Sequence, residues 1–223
     1  MTTEHKSVWT WLFNPFVYIA GGRSLLLGIV AILAAGLIGS ISNTHFDGVL
    51  DMHSGKAGPL WLFLSEGVIA WLLPGIVFLI FGKIISRTSF RSLDILGTQA
   101  MARWPTMISV LIMLPAFVQD ANSRFGKYIL SSVTNSSKAT PLNASDIVIF
   151  VVCTMAVLLI ICWFVVLAYK SYSVSCNVKG GKAVGTFIAG LLIAEILGII
   201  LMPIIFGAMQ KAIDALMGYP ASV

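Results

Sequence analysis

The chain has 223 residues, 58% of them hydrophobic and only 10% charged, where soluble domains carry about 45–50% apolar and about 25% charged residues. With a mean hydropathy of +0.95, that composition excludes a soluble enzyme, a nucleic-acid-binding domain and a disordered tail, and it leaves an integral membrane protein without a sizeable soluble domain. The net charge of +5 then belongs to the Lys/Arg excess that faces the cytoplasm and to anionic lipid headgroups, not to nucleic acid.

The first feature in chain order is aromatic. Residues 6–19 hold Trp9, Trp11, Phe13, Phe16 and Tyr18, too short and too polar to span a bilayer. Rings of this kind sit at the headgroup level. We expect an interfacial helix or hook, broken at Asn14-Pro15. Five apolar runs follow, at 24–41, 59–81, about 100–118, 147–169 and 184–209. At about 1.5 Å of rise per residue, each reaches the roughly 20 residues that a span needs. The expected fold is therefore all-α: a five-helix transmembrane bundle over 24–209, preceded by a cytoplasmic or interfacial segment over 1–23 and followed by a short outer tail over 210–223. Strands alternating over about ten residues, the signature of a transmembrane barrel, are absent.

Lys and Arg orient the bundle. With a cytoplasmic N-terminus, the inner segments hold Lys6, Arg23, Lys83, Arg87, Arg91, Arg103, Lys170, Lys179 and Lys182, and the outer ones Lys56, Arg124, Lys127, Lys138 and Lys211. Nine against five favours N-inside and C-outside. Lys83, Arg87 and Arg91, spaced by four, are expected to share one helical face as a basic stripe for anionic lipid or an acidic partner. The longest connector, 119–146, is rich in Ser, Thr and Asn and reads as an outer loop; Asn135 and Asn143 open glycosylation-type triplets within it.

Two acids interrupt the runs. A charge at the bilayer centre costs at least about 2.5–3.5 kcal/mol, so each must face the bundle interior, find a partner or stay protonated. Glu66 lies about 10 Å below the outer surface and Glu195 about 16 Å above the inner one. In a core about 30 Å thick, these depths allow one shared polar site for a proton, an ion or a substrate. The first outer connector holds His45, Asp47, Asp51 and His53, a mirrored His-x-Asp and Asp-x-His set able to ligate Zn²⁺ or another divalent ion, although capping and turn hydrogen bonds explain the same residues. Cys153, Cys162 and Cys176 form no disulfide or zinc framework. No nucleophile elbow, P-loop, His-Glu-x-x-His or dinucleotide fingerprint occurs, so no enzymatic activity is expected. Ala31, Ala35 and Gly39 in the first run, and Gly190, Ala194 and Gly198 in the fifth, let helices approach closely within the chain or across a homodimer.

The pattern resembles the Yip family (Ypt/Rab-interacting) of five-span membrane proteins. The resemblance is carried by Phe13-Asn14-Pro15-Phe16 before the first span, by Leu96-Gly97-Thr98-Gln99-Ala100-Met101-Ala102-Arg103-Trp104-Pro105 entering the third, and by the short basic connector ahead of Lys182-Ala183 that pairs the last two spans. It covers roughly residues 10–210. The eukaryotic Asp-Leu-Tyr-Gly-Pro signature and long N-terminal region are absent, so Rab binding does not carry over. The compact form resembles a bacterial relative, for which the resemblance implies the fold and no established activity; the first expectation is a non-enzymatic protein of the cytoplasmic membrane with a membrane-organising or partner-binding role. Its partners would be the bilayer, anionic headgroups and membrane or cytoplasmic proteins. The alternative is a small ion, metal or proton-coupled transporter built on Glu66 and Glu195.

Overall fold

The computed structural model describes residues 7–134 and 142–217. The elements are α1 (Val8–Phe13), a 3₁₀ turn (Pro15–Val17), α2 (Gly22–Ser42), β1 (Thr44–His45), β2 (His53–Ser54), α3 (Leu60–Ile85), α4 (Ser92–Ala102), α5 (Thr106–Met113), α6 (Ala116–Val133), α7 (Ala144–Ser175) and α8 (Gly180–Met217). Among the described residues, four helices are long and apolar enough to cross a membrane: α2, α3, α7 and α8. The third apolar run makes a fifth only as a broken element, with α4–α5 followed by α6 at a bend of 85°.

The fold is thus the expected all-α polytopic bundle, with three departures. The third run is not one helix over 100–118. It starts earlier, at Ser92, halts at Arg103-Trp104-Pro105 and ends before Pro115. Proline has no N–H and its ring clashes with the preceding turn, so each of these prolines starts a new helix instead of continuing one. Second, the expected loop over 119–146 begins as α6, which runs to Val133. Val118 and Ala121 are buried, Phe125 stacks on Phe150 of α7 with centroids 3.8 Å apart, and Arg124 grips Asp146 with two hydrogen bonds of 2.9 and 2.6 Å. That i, i+3, i+7 pattern makes α6 an amphipathic helix lying on α7. Asn143 of the second glycosylation-type triplet forms a capping box with Asp146 at the start of α7; Asn135 lies outside the described residues. Third, α8 continues past 209 to Met217, so the outer tail begins as helix.

The aromatic hook is a helix broken at Asn14-Pro15, but it does not merely rest at a helix end. Trp163, well inside α7, donates its indole N–H to the Leu12 carbonyl (2.9 Å) and meets Trp104 edge-on at 4.6 Å. Phe16 is buried in the main core with Phe164 and Val49.

Close packing sets the order of the helices. α2 lies between α3 and α4, α8 packs on α3, and α7 packs on α4. The last two helices therefore share a short turn but lean on different neighbours. A Cβ on Gly190 would stand 2.8 Å from the Phe78 ring, so the small residues of α8 serve the contact with α3. Hydroxyls join α4 to α7: Ser171 donates to Thr98 at 2.7 Å, Thr98 and Ser175 lie 2.8 Å apart, and the Gln99 amide donates to the Ala168 carbonyl at 2.9 Å. The outward faces of α2, α7 and α8 are apolar, with Leu26, Val30, Leu159, Ile188 and Ile199 among their exposed residues.

The tightest approach is at Gly28, where an added Cβ would sit 2.3 Å from the Ala100 carbonyl carbon. Backbone cannot yield as a side-chain tip can. Gly28→Ala is expected to lower the stability of the detergent-solubilised protein by about 1–3 kcal/mol. The same change at Gly126, with nothing within 4 Å, is expected to be neutral or to stabilise by up to about 1 kcal/mol. Thermal unfolding of the two variants side by side is the check.

Candidate functional site

The polar centre of the molecule is built around the connector between α2 and α3. A minimal antiparallel hairpin pairs Thr44 with Ser54 and His45 with His53, and its tip, 46–50, turns back into the bundle. Both intramembrane acids hold this tip. Glu66 accepts the Phe46 N–H at 3.0 Å through one oxygen and faces His45 Nδ1 at 2.8 Å through the other. Glu195 accepts the Val49 and Leu50 N–H groups at 2.8 and 2.9 Å. Gly48 makes room for it, since a Cβ there would lie 2.7 Å from Glu195 Oε1. Gly198 sits under the same tip, its Cβ position 3.4 Å from Gly48 Cα. The two acids therefore hold neighbouring residues of one loop, each in its own set of bonds.

Arg103 completes this centre. The expected inner-surface cation is instead 3% exposed, at the break between α4 and α5. Its Nη1 donates to the Ala70 carbonyl at 3.0 Å and the Val49 carbonyl at 3.3 Å, and its guanidinium lies over the Phe164 ring at 4.9 Å. The Ala70 carbonyl needs a partner for a covalent reason: Pro74, four residues on in α3, has no N–H to offer it. Val49 is thus held from both sides, its N–H by Glu195 and its carbonyl by Arg103. Glu195 is also the acid whose charge acts on Arg103. The sequence carried a signal for this role: a lone cation inside an apolar run, with a proline-freed carbonyl in the preceding span.

The His/Asp set is only partly gathered as expected. His53 lies between Asp47 (3.6 Å) and Asp51 (4.0 Å), all three about half-exposed. His45 stacks on the His53 ring, with centroids 6.0 Å apart, and turns its Nδ1 to Glu66. A potential ligand group does form, but its members are His45, Asp47 and Glu66, with donor atoms within 4.8 Å of one another. His45 Nε2 faces the Lys56 carbonyl at 2.8 Å and must donate to it, so Nε2 carries a proton and Nδ1 faces Glu66. A carbonyl that fixes the tautomer of a ligating imidazole in this way is the usual support for a metal-bound histidine. Without an ion, the hydrogen bond to Glu66 raises the His45 pKa above its ordinary 6.5, burial opposing the shift in part. Burial likewise raises the Asp47 carboxyl, against the nearby His53.

The basic stripe is not a stripe. α3 ends at Ile85 and the chain is extended at Ser86, so the four-residue spacing from Lys83 to Arg91 does not fall on one helical face. Lys83 donates to the Phe90 carbonyl at 3.3 Å and lies over its ring, Arg91 pairs with Asp94 through two bonds of 3.1 Å, and Arg87 points elsewhere. No family model, no curated protein and no solved structure matches this chain.

Removing the Glu195 carboxylate would leave two loop N–H groups without an acceptor. Glu195→Ala is expected to cost about 1–3 kcal/mol, and Glu195→Gln, which keeps one acceptor oxygen, distinctly less. Denaturation of both variants in one detergent measures this. The raised pKa of His45 also sets a sign with pH. Its contribution is fully present below 6.5 and is lost as pH rises through the higher folded value. Chelator-treated protein is expected to melt higher at about pH 6 than at about pH 8, and His45→Gln to flatten that difference.

Proposed function

We propose that this chain is a non-enzymatic integral membrane protein of the Yip type. It sits in a bacterial cytoplasmic membrane with its N-terminus inside and its C-terminus outside, and it organises membrane or binds partner proteins. The observation that carries this is the use made of the intramembrane charges. Glu66, Glu195 and Arg103 all hold the backbone of one inward-turned loop. Carboxylates engaged in this way act as braces, where a carrier needs them free to exchange protons or ions. The basic connectors at the other end of α3 and α7 supply the contact with the inner leaflet and with partners there. Without Arg103, the inner excess of Lys and Arg narrows to eight against five, and N-inside is still favoured.

In vesicles reconstituted with the wild type, Glu66→Gln or Glu195→Gln, proton and divalent-cation flux is expected to equal that of protein-free vesicles. Flux that the wild type supports and either variant loses would establish the carrier instead. The partner-binding arm is cross-linking in intact membranes, where adducts formed by the wild type are expected to disappear in Lys83→Glu/Arg87→Glu.

A second reading rests on one separate observation, the convergence of His45, Asp47 and Glu66 donor atoms. This set suits a divalent cation such as Zn²⁺. Elemental analysis of protein purified without chelator is expected to give one ion per chain, lost in Asp47→Asn. An empty wild type whose melting does not respond to added Zn²⁺ removes that reading.

A further inference from the structure

The connectors that join α3 to α4 and α7 to α8 meet at one end of the bundle and enclose a hollow of about 440 Å³ between them. Its wall is formed by Arg87, Thr88, Asn177, Lys179 and Lys182, over apolar Ile85 and Val178. The hollow is fixed in shape by two features. One is the end of α7. Asn177 takes a left-handed conformation (φ 50°), the Asn177 N–H bonds to the Val174 carbonyl and the Val178 N–H to the Ser173 carbonyl, and Val178 is buried against the core. This is the hydrogen-bond pattern that stops a helix at a left-handed residue. The other is a link between the connectors, the Asn177 amide donating to the Thr88 hydroxyl at 3.2 Å.

The electrostatics are one-sided. Of the five cations in these two connectors and the helix ends beside them, Lys83 is engaged with Phe90 and Arg91 with Asp94. The remaining three, Arg87, Lys179 and Lys182, are those that line the hollow, and among the described residues none of them pairs with a carboxylate. No acid lines the hollow. α8 begins beside it at Gly180, adding the partial positive charge of a helix N-terminus. Three uncompensated cations held close together repel one another, and an anion between them removes that repulsion.

We propose that this hollow binds the phosphate headgroup of an anionic phospholipid. Its position selects lipid over other phosphates. Both helices that flank it are membrane-spanning in length and composition. Ile85 and Val178 give the hollow an apolar side, and Val184 and Ile188, further along α8, are exposed for acyl chains to lie against. Basic pockets between transmembrane helices at this depth suit diacyl and tetra-acyl phosphate headgroups. The site is independent of the reading of Glu66 and Glu195, which lie about 28 Å along α3 from Ile85 and about 22 Å along α8 from Gly180.

The test is native mass spectrometry of the full chain in detergent, titrated with phosphatidylglycerol or with phosphatidylcholine of the same acyl chains. One phosphatidylglycerol is expected to bind at least about tenfold more tightly than phosphatidylcholine, each cationic charge being worth about fivefold. Arg87→Gln/Lys179→Gln/Lys182→Gln is expected to abolish the difference, Lys179→Arg/Lys182→Arg to keep it, and Lys127→Gln, on α6, to leave it unchanged. The single variants Lys179→Gln and Lys182→Gln, each expected to weaken binding about fivefold, carry the test if the triple variant does not melt like the wild type. Equal binding of the two lipids, or a well-folded triple variant that still prefers phosphatidylglycerol, overturns the proposal. So does displacement of the lipid by an equimolar amount of inorganic phosphate, which would assign the site to the free anion.

Discussion

Everything near the centre of this molecule depends on satisfying the peptide group of Val49. Its N–H goes to Glu195 and its carbonyl to Arg103, in a region where water does not supply the missing partners. Backbone that is not helical survives at membrane depth only when protein groups complete its hydrogen bonds. Arg103 also completes the Ala70 carbonyl, left open by Pro74. One guanidinium thus completes two sets of backbone groups, the carbonyl freed by Pro74 and the inward loop, and Phe164 covers its face.

That requirement propagates outward. The loop tip can enter only where the neighbouring helix is thin, which places Gly198 beneath Gly48 and draws α8 against α3. Arg103 reaches its partners because the helix halts at Trp104-Pro105, so the break in the third run and the loop in the first connector are parts of one arrangement. α7 is held by the hydroxyl and amide contacts of α4 on one side, by amphipathic α6 on another, and near its end by Tyr169 and Tyr172 against Phe187 of α8. The turn between α7 and α8 is left open to one side, with its cations facing a hollow.

Much of this was legible in the residues. The long apolar runs, the aromatic hook broken at Asn14-Pro15 and the close-packing faces of α2 and α8 all follow from local composition and spacing, and local cues persist in the folded chain. Glu66 and Glu195 were legible as groups needing partners, because the cost of burying them is independent of the fold. What they bind was not, since Phe46, Val49 and Leu50 offer only backbone, and every residue has that. α6 was hidden by its polar composition, although Val118, Ala121 and Phe125 carry a helical period. The four-residue spacing of Lys83, Arg87 and Arg91 misled because spacing has meaning only where the helix continues, and α3 stops at Ile85.

By itself, then, the sequence determined that the chain is a membrane-embedded helical bundle, where its main spans run and which few polar residues need explaining. Those properties depend on hydropathy, proline chemistry and the cost of burying charge, all local to the chain. Only the tertiary structure decided that two acids and an arginine hold one loop, that Glu66 joins His45 and Asp47, and that Arg87 joins Lys179 and Lys182 across two connectors. The physical reason is distance along the chain. Glu195 finds its partners 145 and 146 residues away, and such pairings are chosen by how whole helices pack.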